Sequence, residues 1–196
     1  HIKGNPEKVL EWFEKATAVK DMSDSLYNFA QELKVAIVRK ADGPDGDPLH
    51  IDNKDNREAA GEVMLAPISG RGKKLYNAIN SYRERILAMV ADPLQRRIIA
   101  SNLSTAVPKT SATMGKNWQE YMFENMPVAA AVTLLSKLQN DVRYAEGEVL
   151  HTLVANVGLK DVRVNKLQAF VVPSATRLYP GDKLTAKMVM AAVDTT

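Results

Sequence analysis

The chain has no cysteine among its 196 residues. This absence excludes a disulfide framework and any site that depends on a thiolate. Histidine is scarce as well: His1, His50 and His151 lie in three separate segments, and no H-E-x-x-H or G-x-S-x-G spacing occurs. We therefore expect no catalytic residue, no metal and no cofactor, and we predict that the protein is not an enzyme.

Long apolar runs and an excess of one charge are also missing. The most apolar stretch, Val128 to Leu135, is far shorter than the roughly 20 residues that span a bilayer. The 26 basic and 23 acidic residues are interspersed and leave a net charge of +3, so we expect no nucleic-acid partner. The sequence opens on His1 without a signal peptide, which is typical of a fragment of a longer protein.

The dominant feature that is present is a heptad pattern between Pro127 and Gly158. Its apolar residues alternate at spacings of three and four, which places them on one face of an α-helix. They are Val128, Ala131, Leu135, Leu138, Val142, Ala145 and Val149. Proline suits the first helical turn and glycine the position after the last. Such a helix would be about 45 Å long, which indicates an elongated bundle.

A second long helix is predicted from Pro6 to Lys40. Its apolar positions follow the same heptad spacing, and only Ser23 interrupts them. They are Val9, Trp12, Ala16, Val19, Leu26, Ala30, Leu33 and Ile37. We call these two rows of apolar residues the apolar stripes. Because they are of similar length, they predict two long helices that lie side by side.

Shorter helices are predicted between these two. After the turn-forming segment ADGPDGDP at residues 41–48, a helix is indicated over Gly72–Ala91, with shorter ones near Arg57–Met64, Asp92–Leu103 and Trp118–Phe123. The fold class is therefore mainly α, an elongated bundle resembling a four-helix bundle. The residues predicted to form its core are Trp12, Leu26, Leu33, Leu75, Ile79, Trp118, Leu135, Leu138, Val142 and Val149.

Two loops and several acidic residues are candidates for an anion site, a calcium site or an acid–base pair. Ser69–Lys74 (SGRGKK) could bind an anion at a helix start but lacks the spacing of a P-loop. We therefore interpret it as a solvent-exposed segment with basic side chains at the start of a helix. The aspartates between Asp42 and Asp55 lack the spacing of a calcium loop and are interpreted as a solvated turn. The acidic residues on the later helices are interpreted as surface charges, with Lys137 and Asp141 as an exposed pair. These residues are Glu120, Glu124, Asp141, Glu146 and Glu148.

Beyond Gly158 the apolar period changes from about 3.6 to two, which is typical of strands. Residues from Val162 to Val171 alternate, and a second alternation follows the turn at Tyr179–Asp182. Two or three strands do not form a stable sheet alone. We therefore predict a helical domain over residues 1–158 and the first strands of a truncated, Ig-like β-sandwich domain over residues 159–196.

Three segments carry a family resemblance. NWQEYMFENMP at residues 117–127 leads into AAAVTLLSKLQNDVRYAE at residues 129–146, and GKKLYNAINSY occupies residues 72–82. With the strands at Val164–Val172 and Leu178–Ala192, their order resembles the GldM/PorM family. The resemblance spans most of the chain and is weakest over Ala41–Ile68.

The resemblance implies the periplasmic portion of an inner-membrane-anchored protein of the type IX secretion and gliding machinery. It implies a homodimer that crosses the periplasm, and an N-terminal membrane helix outside this sequence. That helix would join a second inner-membrane protein in a proton-driven motor, and the far end would meet an outer-membrane ring. The coupling residues would lie in the membrane helix, so none is assigned here.

An alternative from another class stays open: a periplasmic signalling protein whose helical bundle senses a small ligand between its helices. Such a site needs polar groups that converge inside the bundle, whereas the two stripes are almost wholly apolar. We therefore expect a structural and mechanical module. The short Gly158–Asp161 connection predicts restricted motion between its domains.

Overall fold

The computed structural model describes the backbone of residues 6–157, 166–173 and 186–193, and the side chains of residues 10–155. The helices are α1 (Pro6–Asp42), α2 (Ala59–Met64), α3 (Arg71–Met89), α4 (Pro93–Asn102), α5 (Trp118–Phe123) and α6 (Val128–Val157). The strands are β1 (Lys166–Pro173) and β2 (Ala186–Val193). The predicted helical class is confirmed, and both long helices lie where the heptad stripes placed them.

Helices α1 and α6 pack against each other and run antiparallel. Arg143 of α6 contacts Asp24 of α1, whereas Ser136, nearer the start of α6, contacts Lys34, nearer the end of α1. The two apolar stripes meet along this contact. The buried members include Val19, Leu26, Leu33 and Ile37 from α1 and Val128, Leu135, Val142 and Val149 from α6.

Helices α2 to α5 cover one part of the long pair. Helix α3 buries Leu75, Ile79 and Ile86, and α5 adds an aromatic group in which Trp118 meets Phe123 edge to face, with ring centroids 6.0 Å apart. The core therefore consists of the two stripes together with the inner faces of the shorter helices.

Local sequence explains where the shorter helices begin. The Asp92 side chain accepts a hydrogen bond from the Gln95 backbone N–H at 3.0 Å, and Asn117 forms a reciprocal capping box with Glu120. Gly72 allows a close approach between elements, because an added Cβ would lie 2.6 Å from the Met64 carbonyl oxygen.

The loop between α1 and α2 joins one end of the long pair. The Asp42 carboxylate accepts backbone hydrogen bonds from Asp52 at 2.8 Å and Asn53 at 2.9 Å. The same loop offers its carbonyl groups to the first free N–H groups of α6: Val128 donates to Asn56 at 3.0 Å and Ala129 to Lys54 at 3.1 Å. The loop is exposed, as predicted, but Asp42 anchors it to the helix end.

Strands β1 and β2 pair antiparallel, from Lys166 opposite Val193 to Pro173 opposite Ala186. Residues 158–165, 174–185 and 194–196 lie outside the described part of the chain. The predicted strand residues Val162 and Val164, and the predicted turn at Tyr179–Asp182, fall among them. A complete β-sandwich is not shown, so that part of the fold class stays a prediction.

Across the described ranges, none of the helices combines the length and the apolar character needed to cross a lipid bilayer.

Candidate functional site

The most distinctive chemistry in the described helices lies along the contact of α1 with α6 and α3. Beside the apolar stripes, six polar residues form a continuous group that we call the polar seam. Its members are Ser23, Asp24, Tyr82, Gln139, Arg143 and Glu146. Four of them, Ser23, Tyr82, Gln139 and Glu146, are buried, so their polar atoms need partners inside the protein.

Ser23 and Tyr82 form the deepest part of the seam. Their hydroxyl oxygens lie 2.7 Å apart, and the Tyr82 hydroxyl donates to the Val142 carbonyl oxygen at 3.2 Å. The Ser23 hydroxyl then donates to the Tyr82 oxygen. Burial raises the pKa of Tyr82 to about 12, because the phenolate would lose its hydration there. One hydrogen-bond chain thus connects α1, α3 and α6.

The charged part of the seam centres on Arg143. Its guanidinium donates to Glu146 and to Asp24, each at 2.7 Å, and lies 4.4 Å from the centroid of the Tyr27 ring. The two carboxylates raise the pKa of Arg143, with Glu146 contributing more. The pKa of Asp24 is lowered by Lys20, which pairs with it at 2.5 Å, and by Arg143.

This arrangement corrects the interpretation of Glu146 as an ordinary surface charge, because only 9% of that residue is exposed. Its carboxylate tolerates burial because Arg143 neutralises it. The predicted pair between Lys137 and Asp141 is confirmed, with a separation of 2.5 Å.

Gln139 forms the third part of the seam. Its amide group donates to the Tyr27 carbonyl oxygen at 3.1 Å and to the Gln31 side-chain oxygen at 3.2 Å. Its own oxygen accepts from the Lys34 ammonium group at 2.8 Å, and that group also donates to Ser136 at 3.0 Å. Burial lowers the pKa of Lys34, since the ammonium group is partly withdrawn from water.

Sequence reasoning missed Gln139, Arg143 and Glu146 as a group. A signal was available, since their spacings of four and three place them on one side of α6, beside the apolar stripe. Their chemistry is that of hydrogen bonding and ion pairing between helices. The arrangement can therefore hold α1 and α6 in fixed relative positions.

The residues predicted for the core are distributed as follows. Leu26, Leu33, Leu75, Ile79, Trp118, Leu135, Val142 and Val149 are buried, whereas Trp12 and Leu138 are partly buried. Within the described residues, the buried Trp12 indole nitrogen has no hydrogen-bond partner.

Two concave surfaces lie beside the seam. A groove of about 550 Å³ between α1 and α3 is lined by Met22, Phe29 and Arg85, among others. A cleft of about 250 Å³ between α3, α4 and α6 has an apolar floor and carries Lys137 and Asp141.

The histidines and the basic loop before α3, which are candidates for binding a metal or an anion, lie apart from these two surfaces. His50 and His151 are exposed and His1 lies outside the described range. In the loop before α3, Gly70 adopts the left-handed conformation that begins the helix. Lys73 lies 5.0 Å from the centroid of the Tyr76 ring. Among the residues that the structure describes, no cluster of three or more histidine or acidic side chains could hold a metal ion.

Comparison with known families assigns both parts of the chain. Residues 1–156 match the model of the GldM N-terminal domain, and residues 158–196 match that of the GldM second domain. A search of curated proteins gave no match. The two domains point to a component of the gliding and type IX secretion machinery, from a family of inner-membrane-anchored proteins with periplasmic domains. Because the matches span nearly the whole sequence in the order of the family, the chain belongs to the GldM family.

Proposed function

We propose that this chain is a periplasmic structural and mechanical part of the type IX secretion machinery. It couples an inner-membrane, proton-driven motor to components at the outer membrane, and its role is mechanical rather than enzymatic. The observation that carries the proposal is the contact between the two long helices, in which polar and charged groups connect α1, α3 and α6 through a densely packed core.

The contact is suited to transmitting displacement because it is distributed along both helices. At one end the loop after α1 binds the first turn of α6 through Asn56 and Lys54. Further along, Gln139 and Arg143 bind α1. Packed interiors have low compressibility and transmit strain, so a movement imposed on α1 reaches α6 with little loss.

The order of the two family domains supports a path in which a movement passes from α6 to the second domain. Helix α6 ends at Val157, and the match to the second domain begins at residue 158. With so few residues between helix and domain, a displacement of α6 acts directly on the domain that follows. The proposed path therefore runs from α1 across the polar seam to α6 and on to the second domain.

An insertion between the two domains tests this path. A flexible Gly/Ser segment of about ten residues placed after Gly158 lengthens the connection, and its ends are then free to move. We expect secretion and gliding to be lost in cells that carry this variant while the protein is still produced and folded. The measurement is the amount of secreted cargo in the culture medium, together with the level of the protein in the cell.

The matched control places the same segment after Ala112, in the exposed loop before α5. This variant carries the same added length but leaves the path from α6 to the second domain unchanged, and we expect secretion near the normal level. Normal secretion with the insertion after Gly158 would contradict the mechanical role.

The proposed partners are a second copy of the chain, an inner-membrane motor protein that is bound through the membrane helix, and outer-membrane ring components. A homodimer is supported by apolar side chains that stay exposed on α1: Leu10 is 59% exposed and Phe13 48%. Light scattering with small-angle X-ray scattering should show an elongated dimer of this chain. A compact monomer would contradict dimerisation through these residues.

Ligand sensing is a second candidate, and the cleft between α3, α4 and α6 is the observation that favours it. Leu75 and Trp118 contribute to its apolar floor, and Lys137 and Asp141 supply polar groups. Its volume of about 250 Å³ is small for a ligand site, since such pockets generally exceed 300 Å³. A thermal-shift screen with small amphipathic compounds tests this role: saturable stabilisation lost in Leu134→Trp, at a partly buried residue that lines the cleft, would favour it over the mechanical one.

A further inference from the structure

The apolar contact between α1 and α6 is repetitive. On both helices the stripe recurs with a seven-residue period, so a slide of seven residues, or about 10 Å, again brings apolar positions opposite apolar positions. Apolar packing alone therefore separates neighbouring registers weakly. The structure nevertheless has one register, in which Asp24 lies opposite Arg143.

We propose that the polar seam selects this register, because displacement by seven residues in either direction removes partners from buried polar groups. The residues that would replace Asp24 opposite Arg143 are Thr17 and Gln31, which are both uncharged. Arg143 would then lose its carboxylate partner on α1, at a position where it also neutralises the buried Glu146.

Tyr82 extends the same selection to a third helix. Its hydroxyl is buried between Ser23 and the Val142 carbonyl group. The stripe positions seven residues before and after Ser23 are Ala16 and Ala30, and alanine supplies no hydroxyl group. Ser23 is thus the single polar residue in the α1 stripe between them, and it lies at the one position where Tyr82 reaches it.

Gln139 adds a third constraint. In the observed register it bonds to Gln31 and to Lys34. Displacement in one direction would place Val38 at the position of Gln31 and Ala41 at that of Lys34, which removes both partners. In the other direction Asp24 can still accept from the Gln139 amide group, but Tyr27 replaces the Lys34 ammonium donor. A buried polar group that fixes alignment at the expense of stability is a known device in helical coils. Here two such groups, Tyr82 and Gln139, act together with the partly exposed pair of Arg143 and Asp24.

Distance measurements between spin labels test the proposal, and the absence of native cysteine makes specific labelling simple. Two pairs of exposed positions report on the register. One pair is Thr17→Cys with Asn140→Cys, and the other is Asn28→Cys with His151→Cys. The two members of each pair are offset along the helix axes, in opposite senses for the two pairs, so a slide lengthens one distance and shortens the other. In the otherwise unchanged chain, we expect a single narrow distance for each pair.

Two variants change the seam. The first replaces the buried polar groups of the seam, together with the exposed Arg143 that pairs with Glu146, by apolar ones and carries Ser23→Ala, Tyr82→Phe, Gln139→Leu, Arg143→Leu and Glu146→Leu. The second keeps the composition and moves two seam residues by seven positions, with Ser23→Ala, Ala30→Ser, Asp24→Gln and Gln31→Asp. The matched control is Ser25→Ala with Tyr121→Phe, which removes the same types of hydroxyl group from exposed positions.

We expect the control to keep one distance per pair. In both seam variants, a second population should appear in which one pair distance is longer and the other shorter, each by about 5 to 10 Å, because a slide of one heptad moves the two helices about 10 Å along their axes. Circular dichroism identifies which variants fold. A displaced population in a folded seam variant supports register selection, and unchanged single distances in every folded variant overturn it.

Discussion

Raising the pH should weaken this fold through Tyr82 in a range where most proteins lose stability only gradually. The tyrosine pKa of 10.0 rises to about 12 on folding, because the folded state buries the hydroxyl group and the Glu146 carboxylate adds to the rise. Below pH 10 the residue is neutral in both states, and its contribution to stability is complete. Between about pH 10 and 12 only the unfolded chain ionises, so the free energy of unfolding falls.

The size of the loss follows from the shift. Each unit of pKa difference corresponds to about 1.4 kcal/mol, so a shift of about two units removes between 2 and 3 kcal/mol once the pH reaches 12. Since small domains have about 5 to 15 kcal/mol of stability in total, the effect is large enough to measure. Above pH 12 the folded state ionises too, and the loss stops growing.

The assay compares urea unfolding of the normal chain and of Tyr82→Phe at several pH values between 8 and 12. The phenylalanine variant lacks the titrating group but keeps the ring, so it reports every other effect of alkali, including deprotonation of lysine. The stability difference between the two chains should change by about 2 to 3 kcal/mol in favour of the variant from pH 9 to 12. Parallel curves across this range would refute the assigned burial and hydrogen bonding of Tyr82.

Three further predictions use the same unfolding measurement. Gly72→Ala should destabilise the fold by about 1 to 3 kcal/mol, because the new Cβ would overlap the Met64 carbonyl oxygen. The control Gly147→Ala, in open space on α6, should stabilise the fold by about 0.5 to 1 kcal/mol. Equal effects of the two substitutions would contradict the close approach of Gly72 to Met64. Leu135→Ala should cost about 2 to 5 kcal/mol, because 2% of the residue is exposed, and a cost below 1 kcal/mol would place it outside the core. Backbone hydrogen bonds from Asp52 and Asn53 lower the pKa of Asp42. Asp42→Ala should therefore reduce stability above about pH 4, and the part of this loss that depends on the charge should vanish as the pH falls through that lowered pKa; a loss that does not change with pH would contradict the role of the Asp42 carboxylate.

The helices of this protein could be predicted from sequence because their signals are local. The spacing of Leu135, Val142 and Val149 records which side of one helix is buried, without any knowledge of the neighbour. Asn117 and Asp92 mark helix starts because their side chains accept hydrogen bonds from backbone N–H groups only three residues further on. Pattern and structure therefore agree closely where the relevant interaction lies within one turn.

The seam could not be predicted in the same way, because its partners are distant in sequence. In the sequence, Ser23 only interrupts the apolar pattern of α1, and its role becomes clear from its hydrogen bond with Tyr82 in the structure. Glu146 carries the charge of a typical surface residue, and only the position of its partner Arg143, which also bonds to Asp24 of α1, shows why it can be buried. Nothing in the periodicity of one helix specifies which residue of another lies opposite it.

The antiparallel pairing of α1 and α6 has a mechanical consequence. The start of α1 and the end of α6 lie at the same end of the pair, and the loop that contains Asn56 closes the other end. Tension applied between Pro6 and Val157 would peel the two helices apart from their open end, breaking a few contacts at a time. Twisting or lateral bending instead strains many contacts at once. A helix pair of this geometry therefore resists twisting and bending better than tension between its two free ends.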